Sequence, residues 1–442
     1  MVKLHKLHKF FGLTGGVLIL LLSLSGFFLN HKKWSFLYTT SFTTLPQTTL
    51  DADKRLFEAY YVDTKNKKHI VVGSRRGLFE SFDAGENFSK ISSLQILSIK
   101  SDEKNIYLAT SEGIYKLDAS KISLFALHGE YISSLSVKDE KLVAIVEKSQ
   151  LILLDAQSKK ELYRGSVFIE KEKLQEDISL SRFIRDLHYG RGLFDGDISL
   201  FINDYGTLFI SFLAISGYMI WYMIKKRRAK SSRKLIRMHA NVFAIFATLP
   251  LVILAITGIF LDHSEGLAKF MRSTLISHSF LPPVYNSLQA DIWSVDFDGE
   301  NYRIGNRYGV YKSENLRDWS LENRGFAYKM IRKNKNLYVS GMGASNRLYD
   351  GAWSILKSTP HMFRDVIEVA GVPYYFSTTK SILKLPHFND ATLYTLLLTL
   401  HDGSFFASWW VWVNDYIAVT LLLLSITGTL RWYAKLSLRN IV

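Results

Sequence analysis

The chain has 442 residues, of which 48% are hydrophobic and 21% charged, and its formal net charge is +15. A chain of this length and composition is expected to form more than one structural unit. Because it contains no cysteine, disulfide bonds, thiolate zinc sites, iron–sulfur clusters, c-type haem attachment and cysteine nucleophiles are excluded.

Four stretches are apolar enough, and long enough as helices, to cross a hydrocarbon core of about 30 Å. In chain order they are Phe10–Leu29, Tyr205–Ile224, Asn241–Leu261 and Trp409–Leu430. The first is longer than the apolar part of a typical signal peptide, and no small-x-small cleavage site follows it. We therefore expect the first stretch to be a retained membrane anchor.

Basic residues predict the orientation of these spans. Three precede the first span, eight lie within Lys225–Arg237 and three follow the last, 14 in all with no acidic residue among them. The positive-inside rule therefore predicts an inner-membrane protein with both termini and the middle loop in the cytoplasm, and with two long periplasmic segments. The remaining sequence is close to neutral, so the basic charge requires no nucleic-acid partner.

These features divide the chain into cytoplasmic, membrane and extracytoplasmic segments. The predicted segments are 1–30 (cytoplasmic N-terminus and first span), 31–199 (first β region), 200–224 (second span), 225–238 (basic cytoplasmic loop), 239–262 (third span), 263–408 (second β region), 409–432 (fourth span) and 433–442 (cytoplasmic C-terminus).

Both outer segments contain short runs of alternating Ile, Val, Leu and Tyr that end at Gly, Asp or Asn turns. In the first, Leu78, Ile114 and Leu151 recur at spacings of 36 and 37 residues, and Gly309–Ser313 in the second resembles Gly77–Ser81. Such periods favour propeller blades. We predict three blade-like units per segment, forming one six-unit propeller from both halves. Two separate β domains, or a generic β-rich domain, are the alternatives.

The spans themselves are duplicated. "SLSGFFLNH", which ends at His31, matches "AITGIFLDH", which ends at His263, and "NDYGTLFISFLAISGYMIWY" from Asn203 matches "NDYIAVTLLLLSITGTLRWY" from Asn414. Both copies start on the cytoplasmic side, so they are parallel repeats related by a pseudo-two-fold axis along the membrane normal. The predicted fold class is an α plus β membrane protein with four transmembrane helices in two parallel repeats and an extracytoplasmic all-β, propeller-like domain.

Six of the twelve histidines form three matched pairs at the ends of the spans. The pairs are His8 with His239 on the inside, and His31 with His263 and His188 with His401 on the outside. One histidine at a span end is commonly an interfacial residue, but three pairs retained in two diverged repeats indicate ligands. An axis between helices lets a flat cofactor accept one imidazole from each repeat, as b-type haem does. We predict haem b, with two groups expected, whose iron is bound by these histidines.

The spans also resemble a known family. "LHKFFGLTGGVLILLLSLSG", "LHYGRGLFDG…SGYMIWY" and "MHANVF…TGIFLDH" resemble the first three spans of the PepSY-associated transmembrane proteins. Members include iron-regulated membrane proteins and ferric-siderophore reductases that carry haem between membrane helices. The resemblance implies that His8, His188 and His239 occupy family histidine positions, with His401 added through the repeat. His31 and His263 come from the duplication alone. Blade-like units replace a clear PepSY domain.

Helix geometry separates the predicted ligands into two levels. His8 and His31 are 23 residues apart, about 34 Å along a straight helix, so one haem cannot use both. An inner haem on His8 and His239, with an outer haem or haems drawn from the other four histidines, would form an electron relay. We predict a ferric-reductase-like membrane oxidoreductase, but no catalytic residue can be assigned.

The chain has no nucleotide-binding motif in a suitable context. The electron donor is therefore expected to be a cytoplasmic reductant or a membrane quinol. The expected acceptor is extracytoplasmic, with a ferric chelate as the candidate. The alternative function is non-enzymatic: a membrane-anchored propeller protein for partner binding or assembly, whose histidines are interfacial.

Overall fold

The computed structural model describes residues 2–102, 104–194, 196–240, 242–369, 371–378 and 383–439. The chain divides into two compact units. The first comprises Met1–Lys32, Ser179–Leu275 and Tyr394–Val442, and the second comprises Lys33–Ile178 and Ile276–Leu393. Residues 179–199, 263–275 and 394–408, which the sequence assigned to the β regions, therefore belong to the helical first unit.

Most helical residues lie in the first unit. Along the described chain the α-helices are α1 (Val2–Asn30), α2 (Phe36–Thr39), α3 (Gln47–Ala52), α4 (Leu180–His188), α5 (Gly196–Lys225), α6 (Ala229–His239), α7 (Val242–Asp262), α8 (Ala268–Ser273), α9 (Leu393–Asp402) and α10 (Val411–Arg439). Short 3₁₀ helices occupy Asp53–Leu56, Lys171–Lys173, His278–Phe280, Pro283–Asn286 and Ser408–Trp410.

Three helices in the described residues are long and apolar enough to cross a membrane: Leu4–Asn30, Gly196–Lys225 and Ser408–Tyr433. They coincide with the predicted first, second and fourth spans. The predicted third span corresponds to α7, a helix of 21 residues within which Thr248–Asp262 is the apolar stretch with described side chains. Asn241, where that span was predicted to begin, lies outside the described residues. The chain is therefore a membrane protein with at least three candidate spans.

The four long helices pack as a ring. Helix α1 contacts α5 and α10, and α7 contacts the same two helices. Each helix contributes one buried aliphatic side chain to a shared core, namely Ile19, Ile210, Leu251 and Ile417. The packing thus follows the duplication, because α1 and α5 come from the first repeat and α7 and α10 from the second.

Short helices accompany the long ones. Helix α4 packs on α7, and α6 packs on α5 and occupies most of the segment predicted as a basic loop. The hydroxyl of Ser179 caps α4 by accepting a hydrogen bond from the Arg182 amide at 3.3 Å. The sequence did not separate α4, α6 and α9 from their flanking segments. These short helices are nevertheless the elements that carry three of the predicted histidines.

Nearly all strands belong to the second unit. The described strands are β1 (Ser41–Phe42), β2 (Phe57–Val62), β3 (Ile70–Ser74), β4 (Gly77–Ser81), β5 (Ser89–Ser92), β6 (Ile96–Ser101), β7 (Ile106–Thr110), β8 (Gly113–Asp118), β9 (Lys121–Ala126), β10 (Ile132–Lys138), β11 (Lys141–Val146), β12 (Gln150–Asp155), β13 (Glu161–Ser166), β14 (Ile178–Ser179), β15 (Leu275–Ile276), β16 (Ser294–Phe297), β17 (Tyr302–Gly305), β18 (Gly309–Ser313), β19 (Ser320–Arg324), β20 (Lys329–Lys333), β21 (Asn336–Ser340), β22 (Arg347–Tyr349), β23 (Trp353–Ile355), β24 (Asp365–Val369), β25 (Val372–Phe376) and β26 (Ala391–Thr392).

The main strands form antiparallel sheets in sequence order. Four-stranded sheets contain β2–β5, β6–β9, β10–β13, β16–β19 and β20–β23, and β24 pairs with β25. The last unit was predicted from Pro373 to Pro386, and residues 379–382 of it lie outside the described part of the chain. Strand β1 pairs with β26, which joins the two ends of the second unit.

The first strands of these sheets are neighbours in cyclic order. Strand β2 contacts β6, β6 contacts β10, and the order continues through β16, β20 and β24 back to β2. At one junction between the halves, the amides of Val295 and Phe297 donate to the hydroxyls of Ser134 and Ser136 at 3.2 and 3.0 Å. A ring of antiparallel sheets joined through their first strands is propeller-like, as predicted.

The sequence repeat marks the third strand of the sheets. Leu78, Ile114 and Leu151 are each the second residue of such a strand, and Gly77–Ser81 and Gly309–Ser313 are both third strands. Gly77 has a φ of 138°, and a Cβ there would lie 2.0 Å from the Ser92 carbonyl oxygen of the fourth strand. A Cβ at Gly309 would lie 2.1 Å from the Asn323 carbonyl oxygen. Glycine is therefore required where these two strands begin.

Candidate functional site

The helical unit brings four of the six predicted histidines together as two pairs. His8 on α1 faces His239 at the end of α6, with ring centroids 6.4 Å apart and planes at 88°. His188 at the end of α4 faces His401 in the last turn of α9, with centroids also 6.4 Å apart and planes at 62°. Both pairs join a residue of the first repeat to its counterpart in the second.

Each paired histidine is held by a hydroxyl group on a long helix. The hydrogen bonds are His8 Nδ1–Thr427 Oγ1 (2.8 Å), His239 Nδ1–Ser216 Oγ (2.7 Å), His188 Nδ1–Thr257 Oγ1 (3.1 Å) and His401 Nδ1–Ser25 Oγ (2.9 Å). Every bond joins one repeat to the other. His8 and His188 of the first repeat contact hydroxyls of the second, and His239 and His401 of the second repeat contact hydroxyls of the first. The four contacts are thus symmetric copies of one arrangement.

The hydroxyl groups define the direction of these bonds. Thr427 Oγ1 donates its single hydrogen to the Leu423 carbonyl at 2.6 Å, and Thr257 Oγ1 donates to the Ile253 carbonyl at 2.6 Å. Ser25 likewise donates to the Leu21 carbonyl at 2.8 Å. A hydroxyl that donates to the backbone can only accept from the imidazole. The rings are therefore protonated at Nδ1, which leaves an unprotonated lone pair on Nε2.

Among the described residues, the Nε2 atoms of His8 and His239 have no hydrogen-bond partner, and the rings of His188 and His401 each have a further contact with a backbone carbonyl, of Leu254 and Leu22 respectively. A neutral imidazole whose Nδ1–H is fixed by an acceptor, and whose Nε2 is free, is the form that binds a metal. The arrangement therefore prepares four nitrogen ligands in two facing pairs.

A glycine follows each of the four hydroxyl residues. A Cβ added at Gly26 would lie 3.4 Å from His401 Cε1, and one at Gly428 would lie 3.5 Å from His8 Cε1. The corresponding distances are 3.6 Å for Gly258 to His188 and 3.8 Å for Gly217 to His239. A Cβ at any of these four positions would thus be in ordinary van der Waals contact with the imidazole ring.

His31 and His263 are arranged differently. His31 Nε2 lies 3.3 Å from Asp204 Oδ2, and His263 Nε2 lies 2.8 Å from Asp415 Oδ2. Their Nε2 atoms are therefore engaged by carboxylates. Asp204 and Asp415 occupy the same position in the two duplicated segments that begin at Asn203 and Asn414, and each contacts the histidine at the end of a preceding span. These contacts reduce the candidate ligand set from six histidines to four.

The two pairs lie at different heights along the helices. On α1, His8 belongs to the inner pair, and Ser25 contacts His401 of the outer pair. The 17 residues between them correspond to about 25 Å along the helix axis. The outer pair is therefore closer to the inner one than the 34 Å estimated from His8 and His31.

The donor set can be compared with the geometry of b-type haem. His8 with His239, and His188 with His401, each present two imidazoles whose ring centroids are 6.4 Å apart, and each pair could hold the iron of a haem that supplies one-electron chemistry. Among the described residues no three His, Cys, Asp or Glu side chains form a group suited to a metal ion. Two imidazoles suit an iron whose other four ligands come from a porphyrin.

Sequence reasoning missed the hydroxyl groups as partners of the histidines. A Ser–Gly or Thr–Gly dipeptide lies beside each of the four paired histidines: Ser25–Gly26, Ser216–Gly217, Thr257–Gly258 and Thr427–Gly428. They are also common in ordinary helix packing, and that interpretation was at least as favourable from sequence. Their fourfold recurrence beside four histidines was the signal that could have identified them.

Comparison with known proteins identifies one family. The sequence model of the PepSY-associated TM region matches residues 116–435, which contain α5, α7 and most of α10 and exclude α1. No curated protein matches the sequence.

Solved structures give distant likenesses. BamB from Moraxella catarrhalis shares 8% identity at a TM-score of 0.30, covering 67% of this chain and 56% of BamB. The Neurospora crassa Pan2 WD40 domain shares 6% identity at a TM-score of 0.34, covering 72% and 70% of the two chains. The computationally designed Ika8 protein shares 8% identity at 0.32, covering 76% of each. The match thus spans little more than half of BamB.

Proposed function

The chain belongs to the PepSY-associated transmembrane family, and we propose that it is a haem b-containing oxidoreductase of the inner membrane. It passes electrons from the cytoplasmic side or the quinol pool to an extracytoplasmic acceptor. The observation that carries this proposal is the pair of facing histidines at each of two levels, with centroids 6.4 Å apart in both.

Haem iron held by two imidazoles would supply one-electron chemistry by changing between its ferric and ferrous states. The role of the chain is to fix the ligands. The hydroxyls of Thr427, Ser216, Thr257 and Ser25 would accept from Nδ1–H and so hold each imidazole ring in place beside its partner. Such bonds increase the basicity of the ligand and hold its orientation.

The two levels support transfer across the bilayer. The inner pair, His8 and His239, flanks the basic residues that the positive-inside rule assigns to the cytoplasm. The outer pair, His188 and His401, lies about 25 Å further along α1. We propose one haem at each level, bound by one histidine from each repeat.

The proposed architecture has four spans, with α7 as the third, and both termini in the cytoplasm. The cyclic order of six sheets supports a six-bladed propeller in which each half of the chain supplies three blades. The propeller would then be in the periplasm, on the side of the membrane to which electrons are passed. A ferric chelate is the proposed acceptor, because family members that the spans resemble include ferric-siderophore reductases.

Absorption spectroscopy of the purified full-length protein tests the proposal. The dithionite-reduced spectrum should show b-type bands, and extraction should yield two haem groups per chain. Ferric citrate should then reoxidise the reduced protein. If protein from haem-replete cells contains no haem, the oxidoreductase proposal is wrong, and the non-enzymatic binding or assembly function takes its place.

A further inference from the structure

The second unit contains a buried carboxylate surrounded by several cations. Glu58, the second residue of β2, has a side chain only 8% exposed. Its carboxylate lies 2.8 Å from Arg364 Nη1, 3.1 Å from Arg75 Nε and 3.8 Å from Lys329 Nζ. Three basic side chains therefore converge on one acidic side chain.

The cations exceed the anions even without Arg75. Among the described residues, neither Arg364 nor Lys329 has a second carboxylate within 4 Å, and Lys100 has none. Asp365 and Asp296 also act on Lys100, but Asp365 accepts from the amides of Tyr60 and Val366 at 3.3 and 2.9 Å, and Asp296 pairs with Arg332. Arg364 and Lys329 thus share the single charge of Glu58, and Lys100 adds a third cation nearby.

These side chains come from the strands that line the centre of the ring of sheets. Lys100 lies on β6, Lys329 begins β20, and Arg364 directly precedes β24. Lys100 and Lys329 are close enough to affect each other electrostatically. Tyr328, next to Lys329, packs against Trp293 with ring centroids 5.9 Å apart. The cations therefore lie on or next to the first strands, which surround the axis of the ring of sheets, and they are close to aromatic rings.

The electrostatics of the group favour an added anion. Burial lowers the pKa of Lys329. The charges of Arg364 and Lys100 lower it further, and the charge of Glu58 acts in the opposite direction. Burial also lowers the pKa of Lys100. Burial is the main cause of both shifts, and an anion bound beside the two lysines would favour their charged forms.

We propose that the central channel of the propeller-like unit binds a small polycarboxylate. The cations lie on three different strands, so several carboxylates on one molecule can each reach a separate cation. A single phosphate would engage fewer of them. This site goes beyond the proposed electron transfer, and its binding of ligand does not depend on haem.

Isothermal titration calorimetry with metal-free citrate tests the proposal on the full-length protein. Lys100→Gln removes a cation that has no ion-pair partner among the described residues, so the fold should be retained. It should weaken citrate binding by about tenfold or more. Glu58→Gln should have the opposite effect and tighten binding, because it removes the competing carboxylate.

Arg164→Gln is the matched control. Arg164 pairs with both Glu130 and Glu161, so its charge is already balanced. This variant should bind citrate as the parent does. The proposal is overturned if citrate does not bind, if phosphate binds as tightly, or if Lys100→Gln and Arg164→Gln have equal effects. The haem spectrum should be unchanged in all three variants, which separates this test from that of the proposed function.

Discussion

Ser25 and His401, which are 376 residues apart, are joined by a hydrogen bond of 2.9 Å between Oγ and Nδ1. Thr257 of the second repeat, which is equivalent to Ser25, forms the same bond at 3.1 Å with His188 of the first repeat, which is equivalent to His401. The first repeat thus orients a histidine of the second, and the second orients a histidine of the first. Neither half of the membrane unit completes a histidine pair or its hydroxyl contacts alone.

The hydroxyl contact predicts a specific effect of substitution. Thr427→Val should weaken haem binding at the inner pair by about 10- to 100-fold, because His8 Nδ1–H loses its acceptor. Thr429 on the same helix has a hydroxyl without a partner, so Thr429→Val is the matched control. Haem titration of the apoprotein measures both. Equal affinities in the two variants would show that the Thr427 contact has no role in ligand binding.

The single variants His8→Ala and His239→Ala should each contain one haem group per chain where the parent contains two. The double variant within this pair should lose little more than either single variant. Combining His8→Ala with His188→Ala should remove both haem groups, because the two sites are separate. His128→Ala serves as the control. Full haem content in a variant lacking all four paired histidines would rule out the proposed ligands.

The sequence predicted the paired histidines because duplication placed them at equivalent span ends. The same argument also selected His31 and His263, whose Nε2 atoms the structure engages with Asp204 and Asp415. Duplication preserves an ion pair as readily as a ligand pair. Only the spatial arrangement distinguishes them, since it shows which partner each imidazole nitrogen has.

Part of the fold could be predicted from local pattern. The 36- and 37-residue spacing coincides with the third strands of three sheets. In two of them the strand begins at a glycine, Gly77 or Gly113, because a fourth strand lies close to it. Helix α6 was predicted as a loop, since its dense basic charge disfavours an isolated helix. Packing on α5 and the bond from His239 to Ser216 compensate for that repulsion. Such tertiary contacts cannot be derived from local charge.

Introduced cysteines should reveal the membrane orientation. Ser231 is exposed on α6, and Lys335 is exposed in the β unit. A membrane-impermeant thiol reagent applied to spheroplasts should label Lys335→Cys and leave Ser231→Cys unlabelled. The parent chain has no cysteine and gives no background. The reverse labelling pattern would invert the topology and the proposed direction of electron flow.

The two halves of the β unit should depend on each other for stability. A fragment of residues 33–178 would leave Ser134 and Ser136 without the amides of β16, and would expose the edges of β2 and β10. We expect no cooperative thermal transition for this fragment by circular dichroism. Co-expression with residues 276–393 should restore one. A monomeric fragment that melts cooperatively would support two independent β domains.

The charge group at Glu58 predicts an acid-dependent loss of stability. Burial raises the pKa of Glu58, but Arg364, Lys329 and Arg75 outweigh that effect and lower it to about 2, from an ordinary value of 4.5. Because the pKa is depressed in the folded state, the ionised carboxylate stabilises the fold fully above pH 4.5. That contribution, up to about 3 kcal/mol, is lost as the pH falls from 4.5 towards 2.

Thermal melting of the parent and Glu58→Gln between pH 7 and pH 2.5 measures this contribution. Glu58→Gln should be less stable than the parent at pH 7, and the difference should shrink as the pH falls, because protonation removes the parent's advantage. Glu86, whose exposed carboxylate pairs with Lys384, provides the control Glu86→Gln. Its melting temperature should follow that of the parent throughout. A constant difference between Glu58→Gln and the parent over this range would mean that the Glu58 carboxylate stabilises the fold by packing and not by its charge.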